Sequence, residues 1–161
     1  MKRIVLNFGF LFLLFTTINA QTIPKWKIGE LEEYINKSET PVIISFWATY
    51  CIPCVKEIPY FEELVKKYEG EGVKLLLVSL DFKEAYPDKI KKFSAKMNFT
   101  SSIVWLNETN ADYFCPKVDS KWSGVMPASL FINNKTGHHI FFEEAIPKAK
   151  FEEEIIKMIG Q

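Results

Sequence analysis

The spacing of apolar side chains along the chain changes period several times, and each change marks an element. Leu31, Tyr34 and Ile35 fall at i, i+3 and i+4, so Glu30 to Lys37 reads as a short amphipathic helix that stops before Pro41. Val42 to Trp47 is a β-branched and aromatic run of buried-strand length. Val55, Ile58, Phe61, Leu64, Val65 and Tyr68 then recur at helical spacing until Gly70-Glu71-Gly72. Val73 to Leu80 is nearly all apolar and suits a strand covered on both faces. Tyr86 to Met97 reads as a helix with Ile90 and Phe93 inward, and Ser102 to Leu106 as a short strand. Asn107 to Gly124 reads as irregular and polar. Ala128 to Ile132 and His138 to Phe142 form two strands joined through Asn133 to Gly137. Pro147 starts a last helix, Lys148 to Ile159.

Alternating strands and helices followed by a hairpin and a helix predict one α/β domain. Its central sheet is mostly parallel, with a C-terminal antiparallel hairpin and flanking helices. The N-terminus has a different pattern. Lys2 and Arg3 precede an apolar stretch from Ile4 to Phe15, broken by Asn7 and Gly9, and Thr16 to Ala20 is more polar and ends in a small residue. That is the layout of a cleaved export signal, and the run is shorter than the roughly 20 residues a membrane span requires. The expected organisation is therefore a signal over 1–20, a lead-in with a short helix over 21–40, and the main domain over 41–161. The protein is expected in the periplasm or another extracytoplasmic compartment.

Charge narrows the partners. Twenty basic and twenty acidic residues balance, and loss of Lys2 and Arg3 with the signal leaves 18 against 20, a net −2. This gives no electrostatic reason to expect nucleic acid as a partner. Arg3 is the sole arginine, so the exported chain has no guanidinium for bidentate recognition of phosphate.

The three cysteines are too few, and odd in number, for a disulfide-stapled secreted fold. Cys51 and Cys54 enclose Ile52-Pro53 between a strand and a helix. At a helix N-terminus, unpaired N–H groups and about half a positive charge stabilise a thiolate, so Cys51 is the expected exposed nucleophile. Cys54, one turn on, is the expected buried partner that resolves a mixed disulfide. Zinc is the competing use of such a pair. The other candidate ligands are Cys115, His138 and His139, and adjacent histidines on a strand point to opposite faces, so no metal is expected. No cofactor is expected either. Cys115 reads as an inert core thiol. Trp47 and Tyr50 flank the pair and could form an apolar rim for substrate; either could equally be core, and for Trp47 core packing is at least as strong a reading.

The segment Phe46-Trp47-Ala48-Thr49-Tyr50-Cys51-Ile52-Pro53-Cys54-Val55-Lys56-Glu57-Ile58-Pro59 resembles the active-site segment of the TlpA/ResA-like extracytoplasmic thioredoxins. Trp122 to Ser129 resembles the second motif of that family. The likeness spans roughly residues 41–161 and implies a thioredoxin fold, with Pro127 as a cis-proline. Met126, Pro127, Trp47, Tyr50 and Pro53 are then the expected substrate-contacting residues. The resemblance also explains a departure. Where thioredoxins carry an Asp and a Lys to handle the proton of the buried cysteine, this chain has Ser45 and Leu77. Glu57, three residues after Cys54, is implied to take that role, and a partly desolvated carboxyl has the raised pKa that proton transfer near neutrality needs.

The implied function is a thiol–disulfide oxidoreductase of the cell envelope, a monomer. It would exchange disulfides with exported thiol or disulfide proteins and draw electrons from a membrane thiol reductase. Ile52 and Pro53 offer no polar group to stabilise the thiolate further, which favours a reductant, as in apocytochrome c maturation, over a strong oxidant. Peroxide reduction is disfavoured, because it needs a Thr where Ala48 stands and an arginine beside the peroxide. The alternative is a non-catalytic binding module on the same scaffold.

Overall fold

The computed structural model describes residues 22–161. The expected export signal, 1–20, lies outside the described residues. Six strands form one sheet in the order β1-β4-β3-β2-β5-β6: β1 (Lys25–Trp26), β2 (Val42–Trp47), β3 (Lys74–Ser79), β4 (Ser102–Leu106), β5 (Ala128–Asn133) and β6 (His138–Phe142). β1, β4, β3 and β2 run parallel to their neighbours, while β5 is antiparallel to β2 and β6 to β5. Five helices flank the sheet: α1 (Ile28–Lys37), α2 (Ile52–Lys67), α3 (Asp88–Lys96), α4 (Ala111–Val118) and α5 (Lys148–Ile159).

The two-residue period of the strands divides the core into two layers. Ile43 and Trp47 of β2, with Leu75 and Leu77 of β3, pack with Ile58 and Phe61 of α2, Ile90 of α3 and Phe151 and Ile155 of α5. Val42, Ile44 and Phe46, with Leu76 and Val78, pack on the opposite layer with Leu31 and Ile35 of α1 and Phe114 and Val118 of α4. This is why the β2 and β3 segments read as continuous apolar runs: neither has a solvent face.

Two expectations need correction. Residues 107–124 are not irregular throughout, since Ala111–Val118 forms α4. Its signal is weak because Pro116 lies inside it, and its buried side chains, Phe114, Cys115 and Val118, span little more than one turn. The burial of those three against the sheet offsets the lost hydrogen bond at Pro116. The lead-in also contributes more than a helix. Lys25 and Trp26 pair with Trp105 and Leu106, and flanking bonds run from Trp105 N–H to Pro24 C=O (2.9 Å) and from Asn107 N–H to Trp26 C=O (2.8 Å). A two-residue strand is too short for a periodicity signal. Among the described residues no helix is long and apolar enough to cross a membrane.

Candidate active site

β2 ends at Trp47 and α2 begins at Ile52, so Ala48 to Cys51 must turn the chain at the end of the sheet. Asp81, just beyond β3, fixes that turn. Its carboxylate accepts the Thr49 N–H (3.0 and 3.1 Å to the two oxygens), the Thr49 hydroxyl (2.6 Å) and the Ser79 hydroxyl (2.9 Å). The Asp81 carbonyl accepts the indole N–H of Trp105 at 2.8 Å, which ties the end of β3 to β4. Cys51 N–H closes the turn on Ala48 C=O at 3.0 Å. Nothing in the local sequence marks Asp81 as the anchor of this turn, because Thr49 lies 32 residues away.

Cys51 is the N-cap of α2 and is disulfide-bonded to Cys54, with their Cα atoms 5.3 Å apart. The Cys54 N–H points at Cys51 Sγ, 3.4 Å away, so an amide at the positive end of the helix already addresses the sulfur that would carry the charge. Cys54 is fully buried. Cys51 is less open than its expected role as the exposed thiol, with 8% of its surface accessible. The more prominent side chains are its neighbours: Tyr50, Ile52 and Val125 are exposed, and Tyr50 stacks on exposed Phe82 with ring centroids 5.5 Å apart. Pro53 is also exposed.

Trp47 does not belong to the rim. It is completely buried and packs edge-on against Phe99, so it cannot touch a substrate. Strand alternation decides this, since Trp47 follows Ile43 and Ser45 onto the sheet face covered by α2.

Glu57 lies on the same buried stripe of α2 as Cys54, Ile58, Phe61 and Leu64, and only 1% of its surface is accessible. One carboxyl oxygen accepts the Ile146 N–H at 3.2 Å, while the other is buried without a partner. Burial pushes the carboxyl from its ordinary 4.5 up to about 7, against the opposing pull of the Ile146 N–H. Tyr60, one turn further along α2, donates its hydroxyl to Ile146 C=O at 2.6 Å, so two groups of one helix grip the same residue. Burial, helped by the Glu57 charge, raises the Tyr60 phenol to about 12 and keeps it a donor. Ser45 and Leu77 are both fully buried and neighbour each other across β2 and β3, and the Ser45 hydroxyl has no partner. Neither can act as a base at neutral pH. Among the described residues, Glu57 is thus a titratable carboxyl held in the core one helical turn from a redox cysteine.

The Met126–Pro127 bond is cis, as is Tyr86–Pro87. Met126 and Tyr50 both line a cavity of about 330 Å³ that Leu80, Phe82, Trp105 and Phe114 make largely apolar. A groove of about 500 Å³ lies at the far end of the sheet, around Tyr34, Glu62 and Ser102, away from the sulfurs. Cys115 is buried and free, and burial, with the charges of Glu143 and Asp112, raises its thiol to about 11. His138 and His139 are separately engaged, with Glu154 at 2.9 Å and Asp119 at 3.3 Å.

Residues 16–136 match the family described as AhpC/TSA. Among curated proteins, the chain is 31% identical over 92 residues to the thiol-disulfide oxidoreductase ResA of Geobacillus thermodenitrificans, covering 53% of this chain and 49% of that protein. It is 32% identical over 74 residues to the protein of the same name in Oceanobacillus iheyensis, covering 41% and 38%. The matches thus span about half or less of the length of these relatives. Among solved structures, a thiol:disulfide interchange protein DsbE from Chlorobium tepidum superposes with TM-score 0.61 at 24% identity, covering 77% of this chain and 83% of that one. StoA of Bacillus subtilis superposes with TM-score 0.57 at 23% identity, covering 75% and 86%. These likenesses establish a thioredoxin-like fold.

Proposed function

The chain belongs to the AhpC/TSA family, and within it we propose a thiol–disulfide oxidoreductase that reduces disulfides of exported proteins through Cys51 and Cys54. The observation that carries this reading is the Cys51–Cys54 disulfide at the N-terminus of α2 with the buried, near-neutral carboxyl of Glu57 one turn on.

In the reduced state the Cys51 thiolate attacks one sulfur of the substrate disulfide, forms a mixed disulfide and releases the other substrate sulfur as a thiolate. Cys54 passes its proton to the Glu57 carboxylate, and its thiolate attacks Cys51 Sγ. The second substrate sulfur leaves, the internal disulfide closes, and two electrons have moved to the substrate. In the reverse direction, reduction by an external dithiol leaves a thiolate at buried Cys54, and protonated Glu57 supplies its proton. A carboxyl near 7 serves both directions, since both of its forms are populated at neutral pH.

Several features support a protein substrate. The backbone of Met126, beside cis Pro127, can pair with an extended segment as an added strand. The apolar cavity under Tyr50 and Met126 can take the side chain next to the substrate cysteine. Pro53 and the exposed Tyr50 complete the contact surface. The reading also includes export by residues 1–20, an extracytoplasmic location, a monomeric state and re-reduction by a membrane thiol reductase.

Insulin reduction by dithiothreitol tests the activity. The wild-type protein accelerates the precipitation of insulin chains and Cys51→Ser abolishes the effect. A Cys54→Ser variant accumulates mixed disulfides on Cys51. Failure of the wild type to accelerate the reaction would leave a binding scaffold without catalysis.

A further inference from the structure

The segment Ser123 to Met126, which leads into Pro127, is held from two sides. From within the core, Trp122 Nε1 donates to Val125 C=O at 3.0 Å, and its indole packs against Phe46 and Phe114 with centroids 4.3 and 5.6 Å away. From the other side comes Glu143, the first residue past β6. A single carboxylate oxygen accepts the Ser123 N–H at 2.9 Å, the Ser123 hydroxyl at 2.5 Å and the Val125 N–H at 2.9 Å. Partial burial works against ionisation of Glu143, but the Ser123 hydroxyl and the N–H groups of Val125, Ser123 and Gly124 outweigh it and hold the carboxyl below its ordinary 4.5. The grip is therefore that of a full negative charge at neutral pH, and hydrogen bonds to a charged acceptor are the stronger kind.

The same segment covers Cys115. Gly124 has φ +96°, and a Cβ built there would meet Cys115 Sγ at 3.7 Å and the Ala111 Cβ at 3.4 Å. Gly124 thus faces the thiol with room for little more than a methyl group between them, and the thiol belongs to a residue only 2% accessible. Displacement of Ser123 to Met126 would uncover Cys115.

We propose that Glu143 is a positioning residue for substrate: it holds Ser123 to Met126 in the shape that presents the Met126 backbone to an extended polypeptide, and the same grip seals Cys115. The first half rests on the proposed exchange function; the second does not.

The experiment uses the full chain in its oxidised form, in which Cys115 is the free thiol. Labelling by N-ethylmaleimide is followed by intact mass across pH, so that the rate for the Cys115 thiolate itself is separated from the gain in ionisation that loss of the Glu143 charge brings, and insulin and dithiothreitol are compared as reaction partners. In Glu143→Ala, loss of an anchor worth one or two charge-assisted hydrogen bonds raises the labelling rate about tenfold and the KM for insulin by a similar factor. The loss with dithiothreitol, which has no backbone to pair, is several-fold smaller. Glu143→Gln keeps an acceptor without the charge and falls between Ala and wild type in both measurements. Equal labelling rates in all three proteins would overturn the grip, and equal losses with insulin and dithiothreitol would overturn the positioning role. If the wild type does not reduce insulin, the exchange reading fails, while labelling still decides whether Glu143 holds the segment.

Discussion

Replacing Glu57 by Gln separates the cost of a buried carboxyl from its use. The carboxyl holds its proton to about 7 in the folded protein, against an ordinary value of 4.5. Between those values the folded state binds more protons than the unfolded one, so stability falls as pH rises through this window and levels off above it. The interval is about 2.5 pH units, and at about 1.4 kcal/mol for each it amounts to on the order of 3 kcal/mol. Glutamine fits the same space, can still accept the Ile146 N–H and has no charge to desolvate. Urea unfolding of the oxidised protein therefore shows Glu57→Gln gaining on wild type between pH 4.5 and 8, by on the order of 3 kcal/mol in the difference. Taking the difference cancels every other titrating group, and the intact disulfide keeps both thiols out of the measurement. The functional cost runs the other way. Without a proton acceptor near Cys54, turnover with insulin falls by about tenfold to a hundredfold, with water carrying part of the traffic. The alkylation profile of the reduced protein against pH also loses the inflection shared between carboxyl and thiols. A stability difference independent of pH, together with undiminished turnover, would refute the reasoning and make Glu57 an ordinary helix residue.

Asp81→Ala leaves the Thr49 N–H and both hydroxyls without their acceptor and lowers unfolding stability by about 1.5–3 kcal/mol; Asp81→Asn, which keeps one oxygen, loses less. An unchanged urea midpoint for Asp81→Ala would remove Asp81 as the anchor of the cysteine loop. Tyr60→Phe strips the hydroxyl from Ile146 C=O and costs about 1 kcal/mol by thermal unfolding. By freeing Ile146 it also moves the Glu57-dependent inflection to higher pH, and an unmoved inflection would show that Tyr60 does not steady the Glu57 contact. Cys115→Ala leaves insulin reduction within about threefold of wild type, because a thiol held near 11 contributes almost no thiolate at neutral pH; a loss matching that of Cys51→Ala would refute its inert role.

The elements most legible in the sequence are those whose burial is set by their own period. β2 and β3 announce themselves because both faces are covered, and α2 because its apolar residues repeat each turn. Glu57 is legible through the likeness to known proteins, and its burial on the α2 stripe between Cys54 and Phe61 agrees with that reading. Trp47, which local sequence leaves open between rim and core, is placed in the core by strand alternation with Ile43. What the sequence hides is whatever depends on segments meeting across the fold. Asp81 reaches Thr49, Tyr60 reaches Ile146, and Glu143 reaches Ser123, over separations of 32, 86 and 20 residues. In each case the side chain is an ordinary acidic or aromatic residue until the sheet brings its partner alongside. α4 and β1 escape for a different reason: they are too short for a period to be counted.

The unequal length of the two outer strands has a consequence for association. Among the described residues, β1 offers two residues of open backbone at one margin of the sheet, while β6 offers five at the other, with His139 and Ile140 exposed. An unpaired edge recruits other chains in proportion to its length and flatness, and edge strands are commonly protected by lysine, proline or a bulge. The β1 margin is blunted by brevity and carries Lys25 as well. The β6 margin, His-His-Ile-Phe-Phe, has neither lysine nor proline. Concentrated or partly unfolded protein would therefore aggregate in one direction, growing outward from β6, and a single lysine at Ile140 would do more for its solubility than any change at the β1 margin.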